Sequence, residues 1–328
     1  MALIFCDSFD HYTDPAQKWT NSGSSSIAFG SGARTGQGSL IIDGLFAPLY
    51  GVTGKSTLIC GTAINTQGLS GLEPIVFDCS FGLMVKVVVN ANGSLSFNDV
   101  TGGRATSAGG LVVTGIYNYF ELMAQILSGS SGIATVRLNG AAVPGLTNLA
   151  WTPNSGALTF SDVTMTGPGG GLSANVDDFY ICDNSGSRNN GFLGPIRIYA
   201  EVPVANGSPL QWTPSAGQNY AIVAAIPPNT LQNVSSSTVG QTDQYVYHDS
   251  DIPVGSLVFG VQHVICAQLG GAGARSIASD VNGNIGSSNA LSSSEHMITA
   301  PYDTNPATGN QWSLSDFPGT EFGPTVTA

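Results

Sequence analysis

At 328 residues the chain is too long for one ordinary β-sandwich and suits two domains, each able to bury its own core without a disulfide or metal staple. Charged side chains make up only 9% of it, against about a quarter in ordinary soluble proteins. With 21 acidic and 9 basic residues the formal net charge is -12, a field that repels phosphate and argues against nucleic-acid or anionic-membrane partners.

Taken in chain order, the opening MALIFCDSFDHY has no basic n-region and no long apolar core, so no signal peptide and no membrane insertion are expected. Residues 39–42, 57–64 and 75–81 follow as short apolar runs between Gly, Pro, Asn and Ser clusters, the pattern of strands and turns. Residues 84–89 end in Asn90-Ala91-Asn92-Gly93 before 94–97 resume, a hairpin. In 118–127, Phe120, Leu122, Ala124 and Ile126 share one face while Glu121 and Gln125 take the other. In 134–138, Val136 and Leu138 oppose Thr135 and Arg137, and Asn139-Gly140 supplies the turn. Residues 158–165 and 176–182 complete a first set of strands.

The run Asn184-Ser-Gly-Ser-Arg-Asn-Asn-Gly191 is small and polar throughout and marks a domain boundary, giving domains 1–187 and 188–328. Beyond it, residues 196–204 alternate cleanly, with Ile196, Ile198, Ala200, Val202 and Val204 on one side and Arg197, Tyr199 and Glu201 on the other. Further strands are expected at 220–225, 243–248, 256–269, 275–281, 296–301 and 321–327. No stretch has helical composition, and the fold class expected is all-β: two tandem antiparallel β-sandwich (jelly-roll) domains.

Candidate sites are few. A glycosidase needs two carboxyl groups about 5 to 10 Å apart. Asp177 and Asp178 are adjacent, so on a regular strand they face opposite ways and form no such pair. Asp7 and Asp10, with Asp177, Asp178 and Asp183, could offer oxygen to Ca²⁺ if their segments pair, but their spacing lacks the EF-hand pattern and reads as edge and turn carboxylates. Of the histidines His11, His248, His263 and His296, His263 shares a face with Phe259, Val261 and Ile265 and reads as a buried, hydrogen-bonded side chain. His248-Asp249-Ser250-Asp251 precedes Pro253 and reads as a turn. The glycine runs at 167–171 and 270–273 open no helix and lack the lysine of a phosphate loop. Trp19, Trp151, Trp212 and Trp312 could stack on sugars but suit core or interface anchors better. Cys6, Cys60, Cys79, Cys182 and Cys266 are odd in number and show no metal-type spacing, as expected of buried thiols made in a reducing cytoplasm. Accordingly no catalytic residue, no metal and no cofactor is expected, and the ligand-binding residues are left unknown.

Several strings, in their order along the chain, resemble those of tailed-bacteriophage virion structural proteins. They are Phe5-Cys-Asp-Ser-Phe-Asp-His-Tyr12, Val176-Asp-Asp-Phe-Tyr-Ile-Cys-Asp183 and Gly191-Phe-Leu-Gly-Pro-Ile-Arg-Ile198, then Ser237-Thr-Val-Gly-Gln-Thr-Asp-Gln-Tyr245, Ala274-Arg-Ser-Ile277 and Thr304-Asn-Pro-Ala-Thr-Gly-Asn-Gln-Trp312. The resemblance implies a concanavalin-A-like (laminin-G-like) first half whose opening and closing strands lie side by side, bringing 5–9 beside 179–182 and Cys6 near Cys182. It implies a non-enzymatic particle component, a capsid decoration, head fibre or tail appendage, located in the virion and made in the host bacterial cytoplasm. The expected partners are copies of itself, as a trimer, other virion proteins, and host surface glycans. The rival readings are a carbohydrate-binding host-receptor protein and a polysaccharide depolymerase.

Overall fold

The computed structural model describes residues 2–20, 25–30, 32–43, 49–229, 231–248 and 251–328. The chain forms two compact units, the first from residues 1–9 and 13–198, the second from 10–12 and 199–328. Both are built of antiparallel strands, and the single α-helix among the described residues is the short Asn219–Val223. The expected all-β sandwich architecture is therefore what the chain adopts. Among the described residues no helix is long and apolar enough to cross a membrane.

The first unit is a jelly roll of two sheets. A nine-stranded sheet runs Ala141–Ala142, Ser131–Leu138, Tyr117–Ser128, Thr57–Thr66, Ala174–Cys182, Gly38–Ile42, Ser26–Phe29, with Leu3–Asp7 also on Ala174–Cys182 and Leu149–Trp151 also on Ser131–Leu138. A six-stranded sheet runs Leu49–Lys55, Phe160–Thr166, Glu73–Cys79, Gly82–Val89, Leu95–Asp99, Gly102–Thr106. Period-two alternation fills the core between them. Phe120, Leu122 and Ala124 come from one sheet, and Phe77, Val85, Val87, Val89 and Val163 from the other, all buried. Each of these Phe, Leu and Val side chains is worth roughly 1.5–3 kcal/mol of transfer free energy.

The opening strand Leu3–Asp7 lies antiparallel on Ala174–Cys182, as the resemblance implies, with Cys6 opposite Tyr180 and Leu3 opposite Cys182. Cys6 packs against the apolar cluster that holds Cys182, and all five cysteines are thiols. An aromatic nest of Phe5, Phe9, Trp19, Tyr50 and Phe179 seals this end, with the Trp19 indole donating to Asp7 at 3.0 Å and Lys18 pairing with the same carboxylate at 3.0 Å.

The second unit has a six-stranded sheet, Pro203–Leu210, Asp243–Tyr247, Glu321–Val326, Ser276–Val281, Asn284–Ile285, with Asn289–Ala290 also on Ser276–Val281, and a separate hairpin of Val261–Ala267 with His296–Tyr302. Trp312, Phe322 and Val281 form its core. Two expectations for this region are corrected. Residues 196–202 form no strand, and the first strand begins at Pro203. Residues 220–225, read as a strand, start within the helix Asn219–Val223. There Asn206 accepts from the Tyr220 amide at 2.9 Å, and the Asn219 side chain donates to Asp243 at 2.6 Å, so side chains hold the first turn in place of a ladder.

Candidate functional site

The outer face of the six-stranded sheet carries a pair of carboxyl groups. Phe77 and Val163 point into the core, so their neighbours Asp78 and Asp162 point out, and the register sets Asp162 directly opposite Asp78. Directly opposed residues of an antiparallel pair have Cβ atoms about 4.5–5.5 Å apart. Both side chains are half-buried. Like charges so placed repel and cost stability, which makes the pair a feature the packing alone does not explain.

Burial pushes the Asp78 carboxyl up to about 6, the charges of Asp162 and Glu73 push it the same way, and Lys86 opposes them. Lys86 sits on the adjoining strand opposite Val76 and pairs with Glu73. The Ser161 hydroxyl donates to Asp162 at 2.5 Å. The arrangement supplies a carboxyl group that holds its proton into mildly acidic solution beside a carboxylate, the two roles that general acid catalysis at a glycosidic bond requires. Asp78 and Asp162 lie on strands far apart in the chain, and only the sheet order brings them together.

The outer face of the nine-stranded sheet is covered instead. Arg137, Glu121, Gly61, Tyr180 and Cys6 form one row across five strands. Gly61 has no side chain because the Tyr180 ring lies over it, where a Cβ would come within 2.2 Å of the ring. The Tyr180 hydroxyl thereby reaches Glu121 at 2.7 Å. Residues 191–198 cross this row. The Leu193 amide donates to the Tyr180 oxygen at 3.1 Å and the Gly194 amide to Glu121 at 2.8 Å, while Phe192, Leu193 and Ile196 pack on Ile59, Ala63 and Tyr119.

Asp177 and Asp178 also correct an expectation. They do not face opposite ways, because a bulge intervenes: Asp177 opposes Ala63 and Tyr180 opposes Gly61, three steps on one strand against two on the other. Asp178 sits in the bulge at φ 48°. Both carboxyls consequently reach residues 34–35, Asp177 accepting the Arg34 and Thr35 amides at 2.6 and 2.9 Å, and Asp178 accepting the Thr35 hydroxyl at 2.9 Å and the Arg34 guanidinium. Burial raises both pKa values, and for Asp177 the charge of Asp178 adds to it, so the pair resists carrying two charges.

The remaining candidates fall into structural roles. Asp7 is held by Lys18 and Trp19, Asp183 by Lys55 at 2.6 Å, and Asp10 packs with the second unit. Among the described residues no three His, Cys, Asp or Glu side chains gather in a metal-holding group. His263 is buried and meets Ser279 at 2.7 Å, and burial lowers its pKa to about 4. Asp249 and Ser250 lie outside the described residues. Trp19, Trp151 and Trp312 are buried, and half-buried Trp212 donates to the Gln241 carbonyl at 3.2 Å.

No family model and no curated protein matches the chain. Among solved structures it is similar to "Cellulose induced protein, Cip1", at 16% identity, covering 60% of this chain and all of that one, with a TM-score of 0.41. An endo-β-1,4-glucuronan lyase from the fungus Trichoderma reesei matches at 12% identity, 55% and 95% coverage and TM-score 0.38. The catalytic domain of a glycoside hydrolase family 131 protein from Coprinopsis cinerea matches at 14%, 61% and 98%, and 0.34. The expectation of a non-enzymatic virion component is corrected: two of these structures carry the names of carbohydrate-cleaving enzymes, a likeness that at these identities and scores shows the fold alone.

Proposed function

We propose that the chain is a carbohydrate-active enzyme that cleaves a glycosidic bond on the outer face of the six-stranded sheet. The observation that carries this reading is the register that sets Asp78 opposite Asp162, with the Asp78 carboxyl held protonated up to about 6. Asp78 is the general acid, giving its proton to the leaving oxygen. Asp162, which accepts from Ser161, attacks the anomeric carbon as the bond to the leaving oxygen breaks, and water, giving its proton to the now deprotonated Asp78, then hydrolyses the glycosyl ester and frees Asp162. Directly opposed strand positions set the two Cβ atoms about 4.5–5.5 Å apart, and a close pair of carboxyls is the arrangement of retaining enzymes, whose product keeps its anomeric configuration.

Release of reducing ends from a panel of purified polysaccharides tests the proposal. Asp78→Asn and Asp162→Asn, each folded by circular dichroism, are expected to lower turnover by about 10²-fold or more. No release from any polymer by the wild-type protein, or undiminished release by Asp78→Asn, would overturn it.

A further inference from the structure

The outer face of the six-stranded sheet carries acids that no cation answers. Its six strands hold three basic side chains, and each is taken by a carboxylate: Lys86 by Glu73, Arg104 by Asp99 and Lys55 by Asp183, the last two at 2.6 Å. Elsewhere in the first unit Lys18 is buried on Asp7, Arg34 reaches Asp178, Arg137 stands by Glu121, and Arg197 donates to the Arg34 carbonyl. Among the described residues neither Asp78 nor Asp162 has an ion-pair partner. Glu73, at the head of the Asp78 strand, adds a third negative charge that Asp78 feels.

The rest of the face is neutral. Val76 lies two residues from Asp78 and so shares its side of the sheet, and the registers carry that side through Thr164, Asn98, Ser96 and Thr106. Beside the acids the surface is apolar. Leu83 lies opposite Asp78, and Phe81, in the turn between Cys79 and Gly82, is largely exposed. The Asn154 side-chain amide fixes that turn by donating to the Phe81 and Leu83 carbonyls, each at 3.1 Å. Apolar side chains and neutral hydrogen-bonding groups match the faces and hydroxyls of sugar rings, whereas a carboxylate brought here loses water and gains no cation.

We propose that the substrate is an uncharged polysaccharide and that this face turns away polyuronates and other anionic polymers, an inference that rests on the reaction being placed between Asp78 and Asp162. A polyuronate has a carboxylate on every sugar, each meeting like charge here, and like charge in a site is a means of rejecting wrong partners. Its charge also holds the proton on Asp78 more firmly, against transfer to the leaving oxygen. An amino-sugar polymer fits the sign of the field and fails for the opposite reason. An ammonium beside Asp78 favours the ionised carboxylate and removes the proton that the reaction needs.

Retardation of the full chain in native gels cast with single polymers tests the proposal, read on Asp78→Asn so that nothing is cut during the run and on the wild-type protein beside it. The panel holds neutral glucans, mannans, xylans and galactans, the polyuronates alginate and pectate, and chitosan. At least one neutral polymer is expected to bind about tenfold or more tighter than either polyuronate and than chitosan. The gap to the polyuronates is expected to narrow in high salt, which screens the repulsion. Glu73→Gln, folded by circular dichroism, removes one charge and releases Lys86, and is expected to narrow that gap by about threefold at low salt. A polyuronate or chitosan bound as tightly as the best neutral polymer, or no binding of any neutral polymer, overturns the proposal. A gap that neither salt nor Glu73→Gln changes overturns it as well, since charge on this face would not be its cause. Binding of a neutral polymer without release of reducing ends by the wild-type protein keeps the selectivity and sinks the cleavage, and faster release from a polyuronate than from any neutral polymer does the reverse.

Discussion

Gly61 shows how one missing side chain shapes a whole face. Its neighbours Tyr180 and Glu121 meet across it, and a methyl group there would lie 2.2 Å from one ring carbon of Tyr180 and 2.8 Å from another. Gly61→Ala is expected to destabilise the first unit by about 1–3 kcal/mol, the usual penalty of overpacking, as measured by urea unfolding. Adding Tyr180→Leu removes the clashing ring, so the double variant should be less destabilised than the sum of the two singles, a coupling of about 1 kcal/mol. Strict additivity would show that the ring moves freely aside. Asp78 makes a different prediction. Its raised pKa rests first on burial and then on Asp162 and Glu73. Asp162→Asn removes one of these charges, so carbon-detected titration of the Asp78 carboxyl should give a midpoint of about 6 in the wild-type protein and a lower one in the variant. An unchanged midpoint would leave burial and Glu73 as the causes and weaken the acid–base pairing of the two residues.

At the level of elements, period-two patterning located most strands. Phe120, Leu122, Ala124 and Ile126 fill the core as their alternation requires, and Tyr117–Ser128 extends the expected strand by one residue at each end. Alternation could not tell which elements would pair, so the meeting of Asp78 and Asp162 was illegible. Phe160–Thr166 enters the sheet between Leu49–Lys55 and Glu73–Cys79, an order set by the closed topology rather than by local sequence. The alternation of 196–204 misled for a related reason. Its first part lies across a sheet rather than in one, its Ile198 amide taken by Asp178 and its Ile196 carbonyl by Arg34. The bulge at Asp178 is what aims that carboxyl, and it was hidden because aspartate tolerates a left-handed backbone without announcing it. Asp178→Ala leaves the Arg34 guanidinium, largely buried, without its carboxylate. A loss of about 3–5 kcal/mol in the unfolding of the first unit is expected, with a smaller loss for Asp178→Asn, which keeps an acceptor and suits the same backbone.

Because the chain forms two separately compact units, each should unfold with its own response to pH. In the second unit His263 is neutral and buried against Ser279, its pKa lowered by burial from 6.5 to about 4. Between those values the unfolded chain binds the proton and the folded one does not, so stability falls as the pH falls, by about 3 kcal/mol across the whole interval. Asp78 works in the opposite sense in the first unit. Its folded pKa is raised from 3.8 to about 6, so its contribution is fully present below 3.8 and is lost as the pH rises through about 6. The buried pair Asp177 and Asp178 acts in the same direction as Asp78. Asp99 and Asp183 have pKa values lowered from 3.8, where the hydrogen bonds of Arg104 and Lys55 outweigh burial, and their contributions are lost only below that value. Acidification from pH 6.5 to 4 should therefore lower the melting temperature of the second unit relative to the first. Differential scanning calorimetry across this range should resolve the two transitions, and Gly61→Ala, which touches only the first unit, identifies which is which. A single transition would show that the units unfold as one, and two transitions that move together would show that neither His263 nor Asp78 governs its own unit's stability.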